Sequence, residues 1–164
     1  MLRSPIVTVL GHVDHGKSTL LDKIRGTDVA SREAGAITQS IGASKIPIET
    51  IRSRTGSLLE NMGKKLRLPG LLFIDTPGHA AFGALRQRGG SLADLAIVVV
   101  DITEGMQPQT EETIEILRQT NTPFLIAANK VDLIPGFKHS GASLQKTLQS
   151  QKPRVQQTLD NKIY

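Results

Sequence analysis

The chain has no cysteine, no tryptophan, one tyrosine and four phenylalanines. Without thiols, disulfides and thiolate-bound metal centres are excluded, and the composition fits a reducing compartment. With aromatics at 3%, a core has to be built from Leu, Ile, Val and Ala. No apolar run approaches the ~20 residues that a bilayer-spanning helix needs. The opening "MLRSPIVTVLG" carries one Arg and a short apolar run but no small-residue cleavage site. It reads as a first strand rather than a signal peptide. These absences predict a cytoplasmic protein without membrane contact, and a monomer is expected.

What is present is ordinary for a folded domain. The chain has 164 residues, 38% of them hydrophobic and 21% charged, a length that suits one domain with a real core. The net charge of +5 is unevenly spread: residues 45–67 hold six Lys or Arg against two acids, and residues 138–164 five against one. Two basic segments on a slightly acidic body point to an anionic partner, most simply RNA, or to solvated faces.

Apolar runs at Pro5–Leu10, Leu71–Asp75, Leu95–Asp101 and Pro123–Lys130 read as strands, the first suited to burial in a parallel sheet. Between them lie helical patterns at "KSTLLDKIRG", with Leu20, Leu21 and Ile24 on one side, and at "PQTEETIEILRQTN", with Pro108 in the first turn and Ile114 and Leu117 inward. "KIPIETI" reads as an edge strand, since Pro47 cannot donate to a ladder. The following "RSRTGSLLENMGKKLRLPG" suits a short helix and a turn. Residues 27–44 have little periodicity and read as a long loop, a kind that is usually functional or mobile. After Asp132 helical spacing recurs at Leu144 and Leu148, then at Val155, Leu159 and Ile163, and no sixth apolar strand follows. This alternation predicts an α/β fold, a mainly parallel sheet with helices on both faces, whose ligands sit beyond the carboxyl ends of the strands.

Three motifs fall at those ends. Gly11-x-x-x-x-Gly16-Lys17-Ser18 is a phosphate loop in strand–loop–helix context. Its glycines let backbone N–H groups close on phosphate oxygens at a helix N-terminus. Lys17 reaches the β- and γ-phosphates and Ser18 can ligate Mg²⁺. Asp75, ending its strand, can hold the same metal through water, and Gly78 of "DTPGH" can offer its N–H to a γ-phosphate. "NKVD" selects the base. The Asp132 carboxylate accepts from the ring N–H and the exocyclic amine of guanine, whereas adenine offers no matching donor pair. The stem of Lys130 is long enough to lie along the base, and Asn129 completes the motif. His12 and His15, with no further ligands beside them, make a poor zinc site.

The order GHVDHGKST, GAITQSIGA, DTPGH, NKVD resembles the translational GTPases, and His15 after Asp14 is typical of that group. Within it, "VASREAGAITQSIGAS" and "DTPGHAAFGALRQRGGSLADLAIVVVDITEGMQPQT" look like the archaeal and eukaryotic initiation factor five-B, relative of bacterial initiation factor two. The resemblance covers nearly the whole chain and implies a P-loop GTPase fold that binds GTP or GDP. The nucleotide candidates are then Gly11, His12, Val13, Asp14, His15, Gly16, Lys17, Ser18 and Thr19, with Asp75, Gly78, Asn129, Lys130 and Asp132. By the same resemblance Thr38 is the switch threonine that ligates Mg²⁺ when a γ-phosphate is present, and His79 orients the attacking water. Val13 and Ile37 are the apolar pair that restrains His79. Asp14 corresponds to a ligand for a monovalent cation, K⁺ or Na⁺.

The implied activity is slow GTP hydrolysis stimulated by the ribosome, through rRNA and ribosomal proteins, in a factor that promotes subunit joining. Initiator tRNA would be held by domains outside this chain. The family's last strand, its Ser-Ala turn and its last helix have no match in residues 133–164. The expectation is therefore a partial GTP-binding domain over 1–164 with a half-built base pocket. Three alternatives stay open: a guanine-nucleotide switch that hydrolyses nothing measurable alone, a phosphate-loop ATPase against which "NKVD" argues, and an RNA binder, for which aromatic platforms are lacking.

Overall fold

Four of the five strands carry the apolar runs, and the register of the sheet decides what meets at its upper edge. The computed structural model describes residues 2–26, 42–55, 67–75, 93–141 and 143–163. The elements are β1 (Ile6–Gly11), α1 (Lys17–Arg25), β2 (Gly42–Pro47), α2 (Ile48–Thr55), β3 (Gly70–Asp75), β4 (Leu95–Asp101), α3 (Pro108–Gln119) and β5 (Phe124–Asn129). A single 3₁₀ turn (Val131–Leu133) then leads to α4 (Leu144–Gln149) and α5 (Pro153–Ile163).

The sheet order is β2-β3-β1-β4-β5. β3, β1, β4 and β5 run parallel, and β2 pairs antiparallel with β3. Val9 pairs with Asp75, Gly11 with Val99, and Asp101 with Asn129. These pairings bring the carboxyl ends of four strands to one rim. The chain crosses from one side of β1 to the other between β3 and β4, so the rim at β1 is the crevice where such sheets bind ligands.

Alternation along the strands sorts the core. Leu10, Ala96, Val98 and Val100 pack with Leu117 of α3 on one face. Val7, Val9, Phe73 and Val99 pack with Leu21 of α1 and Ile46 on the other, joined by Leu20, Ile24 and Ile51. Helices thus cover both faces, as the strand–helix alternation predicts. A third cluster, Ile102, Ile134, Val155 and Leu159 with Val131, Phe137 and Leu148, fastens α4 and α5 beside the end of β4. Buried Gln151 closes the approach to α4, donating to the Lys138 and Thr147 carbonyls at 2.7 Å and accepting from the Lys138 N–H at 2.8 Å. At the opposite rim Arg3 grips Asp94 with two 2.6 Å bonds, and Asp94 accepts from the Ile6 N–H at 2.8 Å. The bonds from Arg3 and Ile6 hold the Asp94 carboxyl down at about 2.

Three sequence expectations change. The loop expected over 27–44 gives way to β2 from Gly42. The edge strand expected over "KIPIETI" stops at Pro47, and Ile48–Thr55 turns into helix α2. Pro47 closes the ladder on the edge strand, and Glu49 in the first turn with Arg52 and Arg54 in the last matches the helix dipole. Leu144, spaced to share a buried face with Leu148, is 68% exposed, and Leu148 alone joins the third cluster. β5 ends the sheet with Leu125 and Ile126 exposed, and among the described residues no strand pairs with its outer edge. Among those residues, no helix is long and apolar enough to cross a membrane.

Leu21→Ala removes a fully buried side chain from between α1 and the sheet. It should lower unfolding free energy by about 2–5 kcal/mol, while Leu144→Ala should change it by less than about 0.5 kcal/mol. Urea denaturation of the two variants checks the difference.

Candidate nucleotide-binding site

Sterics at two glycines shape the loop between β1 and α1. Gly11 has φ +146° and lies so close to β4 that a Cβ would stand 2.3 Å from the Val99 carbonyl oxygen, a backbone atom that cannot yield. Gly16 caps α1 in the left-handed region, φ 89° and ψ 27°, and a Cβ there would stand 2.2 Å from Asn129 Nδ2. Asp14, exposed, also takes a positive φ of 60°. The turn therefore folds tightly enough for Lys17, 8% exposed, to donate from Nζ to the His12 carbonyl at 2.6 Å. Ser18 follows in the first turn of α1.

The base motif meets this loop directly. Asn129, at the end of β5, donates from Nδ2 to the His15 carbonyl at 2.9 Å. Lys130 then adopts φ 60°, ψ 30° and caps the 3₁₀ turn that carries Asp132, which is exposed. The phosphate loop and "NKVD", more than a hundred residues apart in sequence, form one continuous rim.

Asp101 ties this rim from below. Its carboxylate, 1% exposed, accepts from Lys130 Nζ at 2.7 Å and from the Thr103 N–H and hydroxyl at 2.8 and 2.6 Å. Burial pushes this carboxyl up, but Lys130 and the two Thr103 donors outweigh it and hold it at about 2. On the loop's outer flank His15 is fully buried, and its Nε2 lies 3.2 Å from Glu104 Oε2. An ionised carboxylate only accepts, so Nε2 carries the proton. His15 Nδ1 is buried with no hydrogen-bond partner among the described residues. His12 Nδ1 meets Gln109 Oε1 at 2.7 Å, and the two imidazoles stack edge to face with centroids 5.2 Å apart. The imidazoles serve packing and hydrogen bonding, and among the described residues no group of three His, Asp or Glu stands ready to hold a metal.

The predicted set is thus brought together from Gly11 to Thr19 and from Asn129 to Asp132. Asp75 ends β3 beside β1, with its backbone in register with Val9. Its side chain, and Thr38, Gly78, His79 and Ile37, lie outside the described residues. Asp101, Glu104 and Gln109 were not singled out from the sequence. The available signal was "VVVDITEG", an apolar strand that ends in an acid in register with Asn129.

A mainly parallel sheet with a phosphate loop after its first strand and an Asn-Lys-x-Asp turn after its last described strand defines the P-loop GTPase class. The model of the Elongation factor Tu GTP binding domain matches residues 2–163, and the chain belongs to that family. It is 60% identical over 164 residues to "Probable translation initiation factor IF-2" of Methanopyrus kandleri, covering 99% of this chain and 27% of that protein. The corresponding protein of Thermococcus onnurineus is 57% identical, with 99% and 28% covered. Among solved structures, GDP-bound aIF5B from Aeropyrum pernix superposes with a TM-score of 0.78 at 56% identity, covering all of this chain and 28% of that one. A bacterial selenocysteine-specific elongation factor, at 22% identity and TM-score 0.58 over 99% of this chain and 23% of its own, shares the fold. The chain spans a little over a quarter of the length of the curated relatives it matches.

Asp101 makes the site's stability pH-dependent. Its folded pKa lies below its ordinary 3.8, so the stabilisation is complete above about pH 4 and is lost as pH falls toward 2. Asp101→Asn should remove about 2 kcal/mol of that acid-sensitive stability and flatten the curve between pH 4 and 2. Urea unfolding of both proteins across that window measures it.

Proposed function

We propose that this chain is the GTP-binding and GTP-hydrolysing domain of a translation initiation factor of the archaeal IF-2 kind. The observation that carries this reading is the bond from Asn129 to the His15 carbonyl. It seats a guanine-type Asn-Lys-x-Asp turn on a phosphate loop of the right spacing. The GDP in the Aeropyrum relative supports the same ligand here.

The diphosphate lies over the loop from His12 to Thr19, where backbone N–H groups and the N-terminus of α1 face it. Lys17, now held on the His12 carbonyl, turns its charge to the β- and γ-phosphates. Asp132 accepts the two guanine donors, and the stem of Lys130 lies along the ring. Hydrolysis proceeds by in-line attack of water on the γ-phosphate. Gly78 donates its N–H to that group, His79 orients the water, and Val13 with Ile37 restrains His79 until the activator acts. Ser18 and Thr38, with Asp75 through water, would hold Mg²⁺ as a hard-oxygen donor set, and the ion would supply positive charge against the phosphates. Asp14, exposed within the loop, would serve a K⁺ or Na⁺ ion.

Turnover alone is slow in this reading. The ribosome, through rRNA and ribosomal proteins, is the activator in this reading. The cycle then licenses subunit joining, with initiator tRNA held by parts of the factor outside these residues. The setting is cytoplasmic and the working form a monomer.

Base selection offers a direct test. In Asp132→Asn the amide oxygen still accepts from the ring N–H, but the amide nitrogen faces the guanine amine donor to donor. GDP should bind about 100-fold more weakly. Xanthosine diphosphate, with an oxygen in place of that amine, should bind more tightly than it does to the wild type. Competition against a fluorescent GDP derivative reads both, and an unchanged preference for GDP contradicts the role of Asp132.

A further inference from the structure

The turn between β4 and α3, residues 101–105, touches both halves of the site. Toward the base, Asp101 holds Lys130 at 2.7 Å, and the Ile102 N–H donates to the Asn129 carbonyl at 3.1 Å. Toward the phosphates, Glu104 holds the buried His15 ring at 3.2 Å. The turn is itself stiffened by the two Thr103 donors on Asp101 Oδ1 and by Gly105 N–H to the Asp101 carbonyl at 2.8 Å. From outside, Lys162 of α5 donates from Nζ to the Thr103 carbonyl at 2.8 Å, and Ile102 is packed against Ile134, Val155 and Leu159.

We propose that this turn positions the two halves of the nucleotide site separately, with Glu104 setting the phosphate loop through His15 and Asp101 setting the base turn through Lys130. Both are positioning residues, since neither belongs to the phosphate loop or the Asn-Lys-x-Asp turn. Two arguments carry the division. His15 directly precedes Gly16, whose left-handed geometry leads the backbone into α1. Without Glu104 the buried Nε2–H loses its acceptor, which is costly in the interior. The ring relieves this by swinging outward, and the backbone at 15–16 moves with it. Lys130 occupies the left-handed region, which a residue with a side chain holds only when its surroundings fix it. Its bond to Asp101 is one such restraint, and Asp132 lies two residues further on.

This inference rests on the guanine-nucleotide reading and deepens it. It predicts a split that a general loss of stability does not produce. GDP uses both halves of the site, whereas guanosine carries no phosphate and uses the base half alone. Glu104→Ala should weaken GDP about 10-fold and leave guanosine unchanged. Glu104→Gln should recover most of that loss, because its amide oxygen can accept the same imidazole proton. Asp101→Asn should weaken GDP and guanosine by the same factor, again about 10-fold. Displacement of a fluorescent GDP derivative by each ligand, at pH 7.5 with Mg²⁺, measures all three variants on the 164-residue chain.

If Glu104→Ala weakens both ligands alike, or neither, the inference is overturned while the guanine reading stands. The same follows if Glu104→Gln is as impaired as the alanine variant, or if Asp101→Asn spares guanosine. A wild-type chain that binds no GDP overturns the guanine reading and this inference with it.

Discussion

Asn129 reaches from the end of β5 to the His15 carbonyl, a 2.9 Å bond, in the space that Gly16 leaves by having no side chain. Either element alone is a common local structure, a glycine-rich turn or an Asn-Lys turn. Joined, they form a surface of fixed spacing between phosphate donors and base acceptor. The strand order makes the bond possible: β4 separates β1 from β5, and the pairs Gly11–Val99 and Asp101–Asn129 end the strands near one level. A shift of one residue in either ladder would turn every side chain to the opposite face and carry Asn129 out of reach.

The same constraint explains the burial of Asp101 and His15 at the rim. Asp101 is nearly fully buried and remains ionised because Lys130 and Thr103 replace the water it has lost. A buried charge of this kind is tolerated where its donors are already oriented. The fully buried His15 is held by Glu104, whose side chain is 51% exposed. The third apolar cluster, with α4 and α5, supports the rim from the side, since Ile102 and Ile134 flank the two turns that carry Asp101 and Asp132.

Much of this was legible in the sequence, for identifiable reasons. The strands ending in Gly11, Asp75, Asp101 and Asn129 announce themselves as apolar runs, the first and third because strands buried on both faces need no polar alternation. The spacing from Gly11 to Ser18 is legible because it is one local turn. Pro47 marked β2 as an edge strand, but neither its beginning nor its end was legible, because Gly42, Ala43 and Ser44 owe their strand geometry to pairing with β3 and the chain turns helical at Ile48. The parts of Asp101, Glu104 and Gln109 were hidden for the same kind of reason. Their partners, Lys130, His15 and His12, lie far away in sequence, and nothing in "DITEG" or "PQT" names them. Leu144 shows the converse, a residue spaced to pack that stays exposed.

Selection of a guanine nucleotide by this rim is the claim that calorimetric titration of the 164-residue chain with GDP and then ATP, in the presence of Mg²⁺, would decide. Micromolar or tighter binding of GDP, a binding free energy of about −8 kcal/mol or better, with no heat from ATP, is the expected result. A folded chain, verified by circular dichroism, that takes up ATP as well as GDP, or takes up neither, would contradict the claim.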